Sequence, residues 1–176
     1  MAAVLLGSQR VTQIKALGVI LRNDFSMSSH IDAIIVSCSQ SLYAMSLLKT
    51  HGMKADELFK VFQATPVSKL MYAAPARWGF ARAQDIDRIE AFLRRSRKLE
   101  YCSPNLPNAV NLCAKLDITL FHAIISNQDH VLHQLLPPLR ANHYNMRERS
   151  HPYCLPVKTS TLNECNFVCR MLYKMN

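Results

Sequence analysis

Arg94, Arg95, Arg97 and Lys98 put four positive charges into five positions, the densest run of charge in the chain. Guanidinium and ammonium groups spaced this way can each neutralise a phosphate without reading a base, giving salt-sensitive, sequence-tolerant binding. Cations in the last turn of a helix also complement its dipole and simply face water, so the spacing alone leaves both uses open. A second set, His151, Cys154, Cys165 and Cys169, follows His-x2-Cys-x10-Cys-x3-Cys. Imidazole and thiolate at those separations can wrap a tetrahedral Zn²⁺. However, Pro152 and Pro156 stiffen the first loop and no glycine relaxes either one, so these four stand as candidate ligands and no metal site is assigned. Asp85 and Asp87 could suggest paired carboxylates for Mg²⁺, but at a helix start they favour the dipole and point to different faces. His130 and His133 share a helix face without an obvious third ligand. No Gly-rich phosphate loop, nucleophile elbow or His-Glu-x-x-His motif is present, which leaves no active site to assign.

The elements that must position these residues are mostly helical. The spacing predicts a helix from Ser29, which can cap it, with Asp32 at the positive end of the dipole. Ile31, Ile34, Ile35, Cys38, Leu42, Met45 and Leu48 then form one apolar stripe, and His51-Gly52 ends it. A second helix is expected over about 54–74 with Leu58, Val61, Phe62, Leu70 and Ala73 inward, kinked at Pro66. Pro75 and Gly79 should close the segment around Trp78. A third helix over 83–99 has Asp85 and Asp87 at its start and the basic cluster in its last turns. Residues 105–116 and 118–126 read as two short helices, with 130–136 as a third, before Pro137-Pro138. Upstream, residues 2–21 alternate weakly around a Gly7-Ser8 hairpin turn, with Leu17 to Leu21 as a strand leading to a polar turn at Asn23-Asp24. Residues 139–162 are polar and irregular, and Leu162 to Tyr173 could form a final strand or helix. The expected fold class is mainly α: a helical thumb-like bundle, a short N-terminal β-hairpin or strand stub and an irregular C-terminal tail. The corresponding divisions are 1–26, 27–136 and 137–176.

The chain has 176 residues and a formal charge of +9, a basic excess that favours polyanionic partners without dictating a fold. The apolar run Ala2 to Leu6 is short and lacks a preceding basic region, so no secretory signal is read there. The serines between Ala33 and Leu48 argue against a lipid-spanning helix and a membrane partner. An intracellular location, nuclear or cytoplasmic, is expected, and the six cysteines are read as reduced thiols.

Four stretches, in order and spanning nearly the whole chain, add to this. The segment "IKALGVILRNDFSMSSHI" resembles the Lys-x-Leu-Gly-Val strand, turn and His-Ile helix start that follow the palm of non-LTR (LINE-type, jockey-like) retrotransposon reverse transcriptases. "SQSLYAMSLLKTHGM" is similar to that family's next helix. "LMYAAPARWGFARAQDIDRIEAFLRRSRK" looks like its Leu-x-Tyr, Pro and Trp segment with the helix beyond. "NECNFVCRMLYKMN" resembles the Asn-Phe, Arg, Leu and Lys ending of its reading frame.

The resemblance implies that the Leu17 strand is the last edge of a palm and that the helices from Ser29 onward are thumb and C-terminal extension. Such a chain would be a truncated portion of an RNA-directed DNA polymerase. The family's metal-binding carboxylates sit upstream in a Phe/Tyr-x-Asp-Asp turn, and no Asp-Asp pair occurs in this sequence. Two-metal phosphoryl transfer needs those acids, so no catalysis and no cofactor are expected here; Mg²⁺ would belong to the palm. The implied partners are an RNA or DNA backbone, gripped by Arg94, Arg95, Arg97 and Lys98, and the palm and fingers of the parent enzyme. The alternatives are a small helical protein-interaction module or a zinc-stabilised binding module. Pro66 departs from the family's aliphatic preference in its helix.

Overall fold

Leu17 and Gly18 both have positive φ, 47° and 83°, and this pair is what turns the chain back on itself. Two left-handed residues in succession match the right-handed twist of the strands they join. The computed structural model, which describes residues 11–140 and 150–176, accordingly pairs β1 (Gln13–Ala16) with β2 (Val19–Arg22) antiparallel, Gln13 opposite Arg22 and Ala16 opposite Val19. Leu17 is therefore the hairpin tip rather than the start of a strand. The turn expected at Gly7-Ser8 lies outside the described residues.

The first helix, α1 (Ser28–Thr50), buries Ile31, Cys38, Leu42 and Met45 along the stripe that its sequence spells. Its start differs from expectation. Met27 occupies the N-cap without a side-chain bond, Ser29 lies inside the first turn, and the Ser28 hydroxyl donates to the Asp85 carboxylate at 2.9 Å. At the other end Gly52 N–H bonds the Lys49 carbonyl and Met53 N–H the Leu48 carbonyl. With Gly52 at φ 88°, that is the paired-bond glycine stop that His51-Gly52 predicts.

After α2 (Ala55–Phe62) the chain stays helical through Pro66. It widens into a π-helical turn over Gln63–Val67 and continues as α3 (Ser68–Met71). A wider turn spares the missing proline donor and its ring a direct clash with the preceding carbonyls. Pro66 is buried there, and the Cys38 thiol donates to its carbonyl at 3.6 Å. The helix ends at Met71, short of Ala74, because Ala73 takes a left-handed conformation. Pro75 then opens, rather than closes, the short α4 (Ala74–Arg77), where a proline lacks nothing it would need, and a 3-10 turn covers Trp78–Phe80.

Helix α5 (Ala83–Lys98) runs beside α1 in the same direction: Arg88 pairs with Asp32, Arg95 meets Ser39, and Lys49 reaches the Leu99 carbonyl. Ile89, Phe92 and Leu93 close the main core with Leu58, Phe62, Val67 and Leu70, and the Phe62 and Phe92 rings stack at 6.4 Å. The two short helices expected next are one continuous α6 (Ala109–Ser126), capped by Asn108, whose side chain accepts from Asn111 N–H at 2.8 Å. The 130–136 stretch holds only a 3-10 turn, His133–Leu135.

Residues 150–160 follow an irregular path, and Leu139 bridges to Tyr153. The final segment is helical: α7 (Thr161–Cys165) and α8 (Phe167–Lys174), the latter capped by Asn166. It does not trail away. Val168, Met171 and Leu172 form a second core with Phe121 of α6 and Tyr153. By length and composition α1 and α6 could each cross a membrane, yet both also give buried side chains to this packing, Cys38 and Met45 from one and Cys113 and Ile124 from the other.

Candidate nucleic-acid interface

Burying Ile89, Phe92, Leu93 and Ser96 fixes the rotation of α5. At 100° per residue, Arg94, Arg95 and Lys98 must then emerge on one side, and all three are exposed. Arg97 points elsewhere. It is half-buried and donates to the carbonyls of Leu106 at 3.1 Å and Pro107 at 3.4 Å, holding the loop between α5 and α6. Of the four cations named from the sequence, Arg97 is thus the one also tied to the fold.

The other three remain free of counter-charge. Among the described residues, none of Arg94, Arg95 or Lys98 forms an ion pair, although Asp32, Asp85, Glu100, Asp117 and Glu164 all do so with other cations. Arg95 bonds the Ser39 hydroxyl of α1 at 3.4 Å and lies 5.8 Å from the Phe92 ring, which leaves most of its donors facing outward. Among the described residues, neither Arg94 nor Lys98 makes a side-chain hydrogen bond. At the helix end backbone donors occupy two of the last carbonyls: Glu100 N–H meets the Arg97 carbonyl and Tyr101 N–H the Ser96 carbonyl. Glu100 adopts φ 59° to make that stop, a conformation glycine usually supplies.

The zinc candidates do not converge. Among the described residues no group of three or more His, Cys, Asp or Glu side chains is placed to hold a metal. His151 is buried with both ring nitrogens engaged: Nε2 donates to the Leu172 carbonyl at 2.8 Å and Nδ1 accepts from Tyr153 N–H at 3.3 Å. Its edge meets the Phe121 ring at 6.1 Å, so it serves as a core histidine with no lone pair to offer. Cys154, Cys165 and Cys169 are half-buried free thiols. Asp85 and Asp87 separate as expected, Asp85 buried on Ser28 and Arg88, Asp87 exposed. His130 and His133 are likewise occupied by backbone, accepting from Leu132 N–H at 3.1 Å and meeting the Ile124 carbonyl at 2.7 Å.

Three charged or titratable residues, two buried and Arg170 half-buried, escape sequence reasoning. Arg77 is 2% exposed, its guanidinium donating to the Tyr72 carbonyl at 3.0 Å and to that of Leu70, and burial pushes its pKa down. His30 accepts from Ile20 N–H at 3.4 Å through Nδ1; burial first, then the nearby Arg77 and Lys15 charges, lower its pKa. Arg170 of α8 forks onto the buried Asp117 of α6 at 2.5 and 3.4 Å and donates to the Pro75 carbonyl at 3.2 Å. Only Arg170 had a local signal, the polar position within an otherwise apolar helix.

No protein-family model, curated protein or solved structure matches this chain. Three of the four quoted stretches meet in space. The Tyr72 hydroxyl donates to the Leu17 carbonyl at 2.8 Å and the Tyr72 ring covers Gly18, where a Cβ would stand 3.4 Å away. Gly79 lies against the backbone of Cys165, and Arg170 bonds beside Pro75.

Proposed function

We propose that this chain is the post-palm, thumb-like part of a non-LTR retrotransposon reverse transcriptase. On this reading it contacts a nucleic-acid backbone through Arg94, Arg95 and Lys98 without regard to sequence and performs no polymerisation itself. The observation that carries the binding role is the cation edge of α5: three exposed charges, no carboxylate paired to any of them, on a helix whose other face is locked in the core. Charges of this kind neutralise phosphates and release counterions. The family assignment draws its support from the ordered stretches and from the placement of their residues at junctions between elements, as one packed unit would require. The non-catalytic role draws on the absence of any Asp-Asp pair in the sequence.

The test is a filter-binding titration of unrelated oligonucleotides across salt concentrations. Three phosphates neutralised should give a log K against log salt slope of about −2 to −3, alike for every sequence. Affinity indifferent to salt would overturn the binding role.

A second reading, a helical protein-interaction module, is favoured by the outer face of α1, which leaves Val36, Tyr43 and Leu47 at 59%, 69% and 47% exposure. A partner docking there would bind without the salt dependence.

A further inference from the structure

Between α1 and α5, on the solvent side of their seam, lies an open groove of about 330 Å³ lined by Ser39, Leu42, Tyr43, Ser46, Arg95, Leu99 and Tyr101. Its size is at the lower end of the range for small-ligand clefts. Its chemistry is unusual for a seam between core helices. Leu42 and Leu99 give an apolar floor and edge, Ser39 and Ser46 supply hydroxyls, and Arg95 supplies an unpaired charge. Tyr43 is 69% exposed and its side chain has no hydrogen bond among the described residues; the Ser46 hydroxyl bonds only the Tyr43 carbonyl, at 2.6 Å. The ring is thus held on a rigid helix with its face available.

The positions are set by helix geometry. Arg95 meets α1 at Ser39, and Tyr43 is one turn further along the same helix, about 5–6 Å on. Because the helices run the same way, Leu99, one turn beyond Arg95, lines the same groove. A cation and an aromatic face one helical turn apart, over an apolar floor, present one group for a phosphate and one for a base.

We propose that this groove is a subsite for an unpaired nucleotide, with its base stacked on Tyr43 and its phosphate on Arg95. The preferred ligand of the α5 edge is then single-stranded nucleic acid, since a base inside a duplex offers no free face to Tyr43. The inference rests on the backbone-binding reading above and adds the form of the strand.

Binding of a fluorescently labelled 12-nucleotide single strand and of the same sequence as a blunt duplex, measured by anisotropy on the full chain, tests it. Tyr43→Ala should weaken single-strand binding on the order of tenfold, Tyr43→Phe should not, and duplex binding should be unchanged by either. The salt slope should stay the same in both variants because no phosphate contact is removed. Circular dichroism checks that the exposed substitution leaves the fold intact. If single-strand binding is salt-dependent but indifferent to Tyr43→Ala, or if the duplex weakens equally, the stacking subsite is wrong and backbone binding stands. If neither form binds with salt dependence, the backbone reading fails and takes the subsite with it.

Discussion

Cys38 and Cys113 are the residues that most clearly report how dry the main packing is. Burial pushes the Cys38 thiol up from 9.0 to about 11 and the Cys113 thiol up to about 12. A thiol whose pKa is higher folded than unfolded contributes stability that is complete below the unfolded pKa. That contribution is lost as pH rises toward the folded value. Stability should therefore fall from about pH 9 upward, with each thiol adding about 1.4 kcal/mol per pH unit to the slope. Urea unfolding at pH 8, 9.5 and 10.5 measures this. Cys38→Ala will lower stability at every pH, but it should flatten the alkaline slope by about one proton; an unchanged slope would mean Cys38 is hydrated. Reading Cys38 as a small core hydrophobe from its place in the α1 stripe was enough to anticipate this. Arg97 was not legible in the same way. Helix periodicity sets the direction in which a side chain leaves, but the carbonyls of Leu106 and Pro107 that capture it come from a loop whose return path no local pattern encodes.

At the scale of elements, the contacts that sequence periodicity cannot see are the close ones between distant segments. Gly79 looks like a loop breaker in the sequence. In the fold, a Cβ there would overlap the Cys165 carbonyl oxygen and stand 3.0 Å from its carbon, so the glycine is what lets α7 lie on the Trp78–Phe80 turn. Gly79→Ala should destabilise the protein by about 1–3 kcal/mol, the range for overpacking a closed contact. Amide exchange should show α8 losing protection more than α1, and equal protection in both would mean the tail does not depend on this approach. The Pro66 region had a different obstacle. Proline correctly signalled an irregularity, but whether a helix kinks or widens depends on what packs over it, here Cys38 from α1. The division of α6 into two short helices failed for a related reason: one continuous helix lets both of its ends bury, Cys113 against the first core and Phe121 against the second. The α1 stripe, by contrast, was legible because its burial comes from one side and its stop is a local glycine.

For the molecule as a whole, a net charge of +9 favours a polyanionic partner without saying where it binds. Arg22, Lys49, Arg88, Lys158 and Arg170 are tied to carboxylates and Arg77 is buried, whereas Arg94, Arg95 and Lys98 lie exposed along one helix edge with no ion pair among the described residues. On the proposed reading that edge meets a polyanion, which substitutions that leave the core untouched can test. The direct measurement is the salt slope of single-strand binding for the parent chain beside the Arg94→Gln, Lys98→Gln double variant. Removing two phosphate-facing charges should reduce the magnitude of that slope by about 1.5, equally for every sequence tried. A slope that stays the same would place the phosphates elsewhere and contradict the assignment of this edge.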